Sequence, residues 1–114
     1  MVMNLKSIVM GLLSMNKFRE LNFQREFTEV DYELLKKGIK AERWRVLWED
    51  QQLLFVRTWT GTCIFKMTFE SVGSSWVARS VFVNGNPEEY RPLDENEAKV
   101  ELNEIIDFLL KKEP

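Results

Sequence analysis

The stretch RTWTGTCIF, which begins at Arg57, brings together side chains that recognise anions and flat rings. Arg57, Trp59 and Gly61 occupy every second position of a segment that we expect to be a half-buried strand running into a turn. Arginine offers a planar fork to phosphate or carboxylate, and tryptophan offers a face on which a ring can stack. Thr60 adds a hydroxyl, Gly61 an accessible backbone amide, and Trp44 lies on the preceding strand. We expect this Arg/Trp patch to meet a ligand or a partner.

The same residues also have a purely structural interpretation. Trp44 and Trp59 can be core residues, and Arg57 can pair with a neighbouring acid. Gly61 can serve only to allow a positive φ in the turn. Spacing alone does not separate the two interpretations, so both stay open at this point.

What the sequence lacks excludes several enzyme classes. It has no histidine, which removes Ser-His-Asp and Cys-His nucleophiles and every histidine metal site. Cys63 is the only cysteine, so it can form neither an intramolecular disulfide nor a thiolate zinc site. The five glycines form neither GxGxxG nor the phosphate loop GxxxxGK[ST]. We expect no catalytic residues, no metal and no cofactor.

Carboxylate chemistry remains as an alternative. Acids cluster in segments that we predict to be turns or a helix start, where they favour solubility and capping. An enzyme acting on an ADP-ribose or nucleotide substrate would use Glu70, Glu88 or Glu89 as its base. The sequence leaves enzymatic activity undecided and favours a binding role.

Length and charge indicate one small domain. The chain has 114 residues, which we interpret as a single domain over residues 1–114 with a helical extension at residues 1–16. Sixteen basic and eighteen acidic residues give a net charge of −2, without the basic field that binds nucleic acid. No apolar run is long enough to span a membrane, and a lone cysteine favours the cytoplasm.

The segment MVMNLKSIVMGLLSM has the pattern of an amphipathic helix. Leu5, Ile8 and Leu12 share one stripe, whereas Met3 and Met10 lie off it. One docked face would leave apolar surface exposed to water. We therefore expect either a homodimer through Leu5, Ile8 and Leu12 or a helix buried on both sides within one chain.

Two further helices have recognisable start signals. T-x-x-D at Thr28 begins a short helix that ends before Gly38. Its predicted buried residues are Val30, Leu34 and Leu35. Asp94 or Asn96 caps the final helix. The apolar stripe of that helix comprises Ala98, Leu102, Ile105, Ile106 and Leu109.

Between these helices the apolar period changes to two, which predicts four antiparallel strands joined by the turns EDQQ and SVGSS. In the third strand one face carries Cys63, Phe65, Met67 and Phe69, and the opposite face carries Ile64, Lys66 and Thr68. The predicted fold class is α+β, a four-stranded antiparallel meander with helices packed on one face, one at each end of the chain.

The run from Arg43 to Glu70, RWRVLWEDQQLLFVRTWTGTCIFKMTFE, resembles the signature R-[ST]-W-T-G-x-C-I-[FY] of a family of small uncharacterised bacterial proteins. The likeness extends loosely over residues 27–110 and includes Tyr90, whereas the N-terminal helical segment lies outside it. Thr58 is a mild departure, since serine is expected there. The family has no established activity. Its domain sometimes occurs beside ADP-ribose-handling domains, and the resemblance thus implies a nucleotide-related binding role.

These observations predict a non-enzymatic binding module. Its Arg/Trp patch, with Tyr90 added, recognises either a nucleotide-like small molecule or an acidic or aromatic segment of a protein partner. The alternative is a small protein inhibitor or immunity-type factor that binds by surface complementarity, with tryptophan and arginine as anchors.

Overall fold

The computed structural model describes residues 17–111. Its elements are β1 (Phe18–Glu20), β2 (Glu26–Phe27), α1 (Glu29–Lys37), β3 (Ile39–Lys40), β4 (Trp44–Glu49), β5 (Gln52–Arg57), β6 (Cys63–Val72), β7 (Ser75–Asn84) and α2 (Glu95–Leu109). The predicted N-terminal helix, with Leu5, Ile8 and Leu12, lies outside the described residues.

The strands form one antiparallel sheet in the order β1-β7-β6-β5-β4-β3, and β2 also pairs with β7. The predicted class, α+β with an antiparallel sheet, is confirmed. The predicted meander corresponds to the four consecutive strands β4 to β7, but the described sheet has seven strands rather than four. The three additional strands are two or three residues long, which is too short to show a period of two.

The start and end of α1 follow their sequence signals. The Thr28 hydroxyl accepts a hydrogen bond from the Asp31 amide at 3.0 Å, and the Asp31 carboxylate accepts one from the Thr28 amide at 3.2 Å. This reciprocal capping box satisfies amides that the first turn leaves unpaired. The helix ends at Gly38, where φ is +68° and the amide donates to the Leu35 carbonyl. The predicted boundaries are therefore confirmed.

The predicted buried side of α1 is wrong at one residue. Val30 is 68% exposed, and Tyr32 is buried instead, beside Leu35. The Tyr32 ring stacks on Trp76 at a centroid distance of 3.8 Å and meets Phe69 edge-on. Because the helix is short, this aromatic contact with the sheet decides which side of it is buried.

A β-bulge changes the predicted faces of β6. Phe55 pairs with Phe65, but Val56 pairs with Cys63, so β6 has one more residue than β5 at Ile64. Ile64, predicted to lie on the face opposite the core, is fully buried. The simple alternation expected for this strand is therefore wrong at its first residues.

The buried residues form one cluster to which the sheet and both helices contribute. Asp94 caps α2 by accepting a hydrogen bond from the Glu97 amide at 2.9 Å. The whole predicted stripe of α2 is buried and belongs to the cluster: Ala98, Leu102, Ile105, Ile106 and Leu109. Neither described helix is long and apolar enough to cross a bilayer.

Candidate functional site

The turn between β5 and β6 forms one wall of a surface pocket of about 130 Å³. Four of the six predicted site residues line it: Trp44, Arg57, Trp59 and Thr60. Arg43 and Glu101 complete the lining. The tertiary structure thus brings the centre of the Arg/Trp patch together at one pocket, with a basic side chain added beside Trp44 and an acidic one from α2. We call this space the Arg57 pocket.

The Arg57 guanidinium lies between two aromatic rings. It is 5.8 Å from the ring centroid of Trp44 and 5.5 Å from that of Tyr90. Cation–π attraction of this kind orients a guanidinium without neutralising its charge. Within residues 17–111, the Arg57 side chain has no ion pair and no hydrogen bond. A half-buried cation at a pocket therefore keeps its hydrogen-bond donors available to an anion.

Backbone hydrogen bonds hold this turn against the start of β4. The Thr58 amide donates to the Arg43 carbonyl at 3.0 Å, and the Thr58 hydroxyl donates to the Ala41 carbonyl at 3.1 Å. The Gly61 amide donates to the Arg57 carbonyl at 2.8 Å and closes the turn. These bonds fix the two chain segments that carry the pocket's arginines and tryptophans.

Gly61 and Trp59 occupy different positions from those the alternating pattern predicted. β5 ends at Arg57, so the residues that follow form a turn and do not continue one strand face. Gly61 has φ +71° and does not line the Arg57 pocket, and its amide is already bonded. The expected free amide is therefore absent from the site. Trp59 is 84% exposed at the rim, which excludes a core role for it.

Tyr90 lies beneath the pocket and does not line it. Its side chain is 5% exposed, and its ring packs edge-on against Phe65. The Tyr90 hydroxyl donates a hydrogen bond of 2.6 Å to Oε1 of Glu101. Burial, and then this bond to a carboxylate, raise the pKa of Tyr90 well above its usual range, so the hydroxyl remains a donor. Tyr90 thus supports Arg57 from below and holds Glu101 in place.

A second, larger pocket of about 360 Å³ adjoins the first and shares Arg43, Trp44 and Glu101 with it. Its further lining consists of four apolar residues and two acids, which are Ile39, Ala41, Ile105, Phe108, Glu42 and Glu104. Phe108 is 59% exposed, so an apolar ring lies open at this groove. We call this space the α2 pocket. It continues the Arg57 pocket along the helix.

Glu101 is the site residue that the sequence analysis missed. It lies three residues after Ala98 and four before Ile105, and therefore at the border of the apolar stripe of α2. That position is the only signal the sequence offers, and it does not distinguish a pocket carboxylate from a solvated one. The contact with Tyr90, eleven residues earlier, appears only in the folded chain.

The carboxylates considered as catalytic bases lie elsewhere. Glu70, Glu88 and Glu89 line neither of these two pockets. Glu89 instead accepts hydrogen bonds from Asn84 at 2.8 Å and Lys17 at 2.6 Å, which, in that order, lower its pKa. Across residues 17–111, no three His, Cys, Asp or Glu side chains come together as a metal ion would require.

No protein-family model matches this chain, and no curated protein and no solved structure matches it either. The interpretation of the site therefore depends on its own geometry and chemistry.

Proposed function

We propose that this chain is a non-enzymatic binding module whose Arg57 pocket takes a nucleotide-like small molecule. The observation that carries the proposal is the half-buried Arg57 guanidinium, oriented by two rings and without an anionic partner in the described structure. Such a group is suited to phosphate. The resemblance to a family found beside ADP-ribose-handling domains supports the same ligand class.

The rest of the site fits the other parts of such a ligand. Trp59 is exposed at the rim and offers a stacking face, and Arg43 adds a second positive charge. The α2 pocket supplies apolar surface from Ile105 and Phe108, although it also carries acidic side chains. The Arg57 pocket alone is below the usual range for small-molecule sites, about 300 to 1,000 Å³, so the ligand is expected to extend into the α2 pocket.

Thermal melting with AMP, ATP, NAD and ADP-ribose tests the proposal. A ligand at 100 times its dissociation constant adds about 2.7 kcal/mol to the free energy of unfolding. For a domain of this size that raises the melting temperature by several degrees. We expect at least one of the four to do so.

The Arg57→Gln variant should lose this shift. Arg79→Gln is the matched control, because Arg79 is exposed on β7 and lines neither pocket. A flat screen at millimolar ligand, or a shift that survives Arg57→Gln, contradicts nucleotide binding at this site.

Protein binding is the second candidate function, favoured by the exposure of Trp59. A tryptophan that is 84% exposed beside two arginines resembles the anchor residues of protein interfaces. A small inhibitor or immunity-type factor would bury this indole in its partner. The location that we propose for either function is the cytoplasm, and a homodimer through Leu5, Ile8 and Leu12 remains part of the proposal.

A further inference from the structure

We infer that Glu101 is the acceptor for the ribose hydroxyls of a ribonucleotide, so that this site prefers ribonucleotides over their dideoxy counterparts. The inference rests on the proposed function and extends it to the sugar. It starts from the position of Glu101, which lines both the Arg57 pocket and the α2 pocket.

The order of the two pockets matches the order of the parts of a nucleotide. A phosphate on Arg57 occupies the first pocket, where the guanidinium is unpaired in the described structure. A base reaching the α2 pocket meets Ile105 and Phe108. The sugar joins phosphate to base, and Glu101 lines the pockets on both sides of that joint.

The Glu101 carboxylate is oriented to accept hydrogen bonds. Oε1 accepts from the Tyr90 hydroxyl at 2.6 Å, and Oε2 has no partner among residues 17–111. A carboxylate accepts several hydrogen bonds and donates none, so it requires hydroxyl or amine donors from a ligand. The two vicinal hydroxyls of ribose are such donors, and recognition of ribose by an acidic side chain is a general device in nucleotide sites.

The two pockets differ in charge, because two further acids line only the α2 pocket, where the uncharged base is placed. Glu101 would repel a phosphate placed against it, but Arg57 and Arg43 line the Arg57 pocket and offset that repulsion. Glu95, in the first turn of α2, is exposed and lines neither pocket. It therefore provides a control carboxylate on the same helix.

The test compares AMP with 2′,3′-dideoxy-AMP by isothermal titration, in the parent chain and in two variants. In the parent we expect AMP to bind at least about tenfold more tightly, as the loss of a hydrogen bond to a charged group implies. Glu101→Gln can still accept a hydrogen bond from Tyr90. In this variant we expect the ratio of the two dissociation constants to fall to a fewfold or less. In Glu95→Gln the ratio should stay at its parental value.

Equal binding of AMP and the dideoxy compound in the parent would overturn the ribose assignment and leave the proposed function intact. A preference that persists in Glu101→Gln would overturn the role of Glu101. If neither compound binds, the ribose assignment fails for AMP, and the proposed function itself fails only if ATP, NAD and ADP-ribose also leave the melting temperature unchanged. A Tyr90→Phe variant removes the orienting hydroxyl but keeps the carboxylate, and its ratio should lie between those of the parent and Glu101→Gln.

Discussion

Arg57 has a structural and a binding role at once. Its guanidinium contacts the rings of Trp44 and Tyr90, and its hydrogen-bond donors are unused within the described structure. The first observation gives Arg57 a structural contact, although not the acidic partner that the structural interpretation expected, and the second agrees with the ligand-binding interpretation. Arginine serves both because its flat faces and its edges make different contacts.

This dual role predicts a modest stability cost for Arg57→Ala. Two cation–π contacts of about 0.5 to 1 kcal/mol each give an expected loss of about 1 to 2 kcal/mol in the free energy of unfolding. Phe65→Ala should cost about 3 to 5 kcal/mol, as truncations of buried aromatic residues do. Phe65 is fully buried and contacts the rings of Phe55 and Tyr90.

Urea unfolding of both variants beside the parent chain measures the two costs. If Arg57→Ala destabilises the protein as strongly as Phe65→Ala, the main role of Arg57 is structural. The main support for a ligand at the Arg/Trp patch is then lost. If the cost is near zero, the stacked arrangement between the two rings is not populated in solution.

At the scale of elements, the joint between α1 and β3 depends on one glycine. Gly38 has φ +68°, and a Cβ built there would be only 2.1 Å from the Val46 carbonyl oxygen. A side chain at this position would therefore separate the end of α1 from β4. Gly73, in the turn between β6 and β7, has a similar φ of +62° but nothing within 4 Å of the added carbon.

These two glycines differ in packing and also in backbone conformation, because Gly38 has ψ −168°, in a region that is essentially restricted to glycine. Gly73→Ala should cost about 1 to 2 kcal/mol, which is the penalty of a left-handed conformation alone. Gly38→Ala adds a collision with backbone and should cost clearly more, or prevent folding. Chemical denaturation of the two variants measures both losses in the free energy of unfolding. Equal losses would show that α1 can move away from β4 without destabilising the fold.

At the scale of the whole molecule, Glu89 connects distant parts of the chain. It accepts hydrogen bonds from Lys17, at the start of the described range, and from Asn84, at the end of β7. Asn84 is almost fully buried and also donates to the Cys63 carbonyl at 3.1 Å. One ionised carboxylate therefore holds the loop after β7 against β6 and the first described residue.

This connection predicts a pH dependence of stability. The pKa of Glu89 is lowered from its ordinary value of 4.5, first by the hydrogen bond from Asn84 and then by that from Lys17. A carboxylate with a depressed pKa in the folded state stabilises the fold above its unfolded pKa, and the benefit is lost as the pH falls through the folded pKa. We expect the free energy of unfolding to decline below about pH 4.5.

Glu89→Gln keeps an acceptor but cannot titrate, so its stability should depend less on pH in this range. Glu88→Gln is the control, because the Glu88 carboxylate is exposed and makes no ion pair with any described residue. Unfolding curves at pH 3 to 6 compare the three chains. If the free energy of unfolding of Glu89→Gln depends on pH as steeply as that of the parent, Glu89 is not the source of this pH dependence.

Local sequence signals were enough to place both described helices and the four longer strands, but not the three short ones. Thr28 marked the start of α1, and Asp94 was one of two candidate caps for α2, because a cap acts on amides within three residues of it. The apolar stripe of α2 was readable for the same reason, since its period is set by the helix alone. The antiparallel β4 to β7 meander followed from short turns and alternating residues.

The packing of the elements against each other, in contrast, sets which residues share a pocket and which face the core. Ile64 is buried because a bulge shifts the register between two strands, and Tyr32 is buried because Trp76 lies across from it. Glu101 accepts a hydrogen bond from Tyr90 and lines the Arg57 pocket because α2 packs on the sheet. Such contacts join residues far apart in the chain, and no local period or cap encodes them.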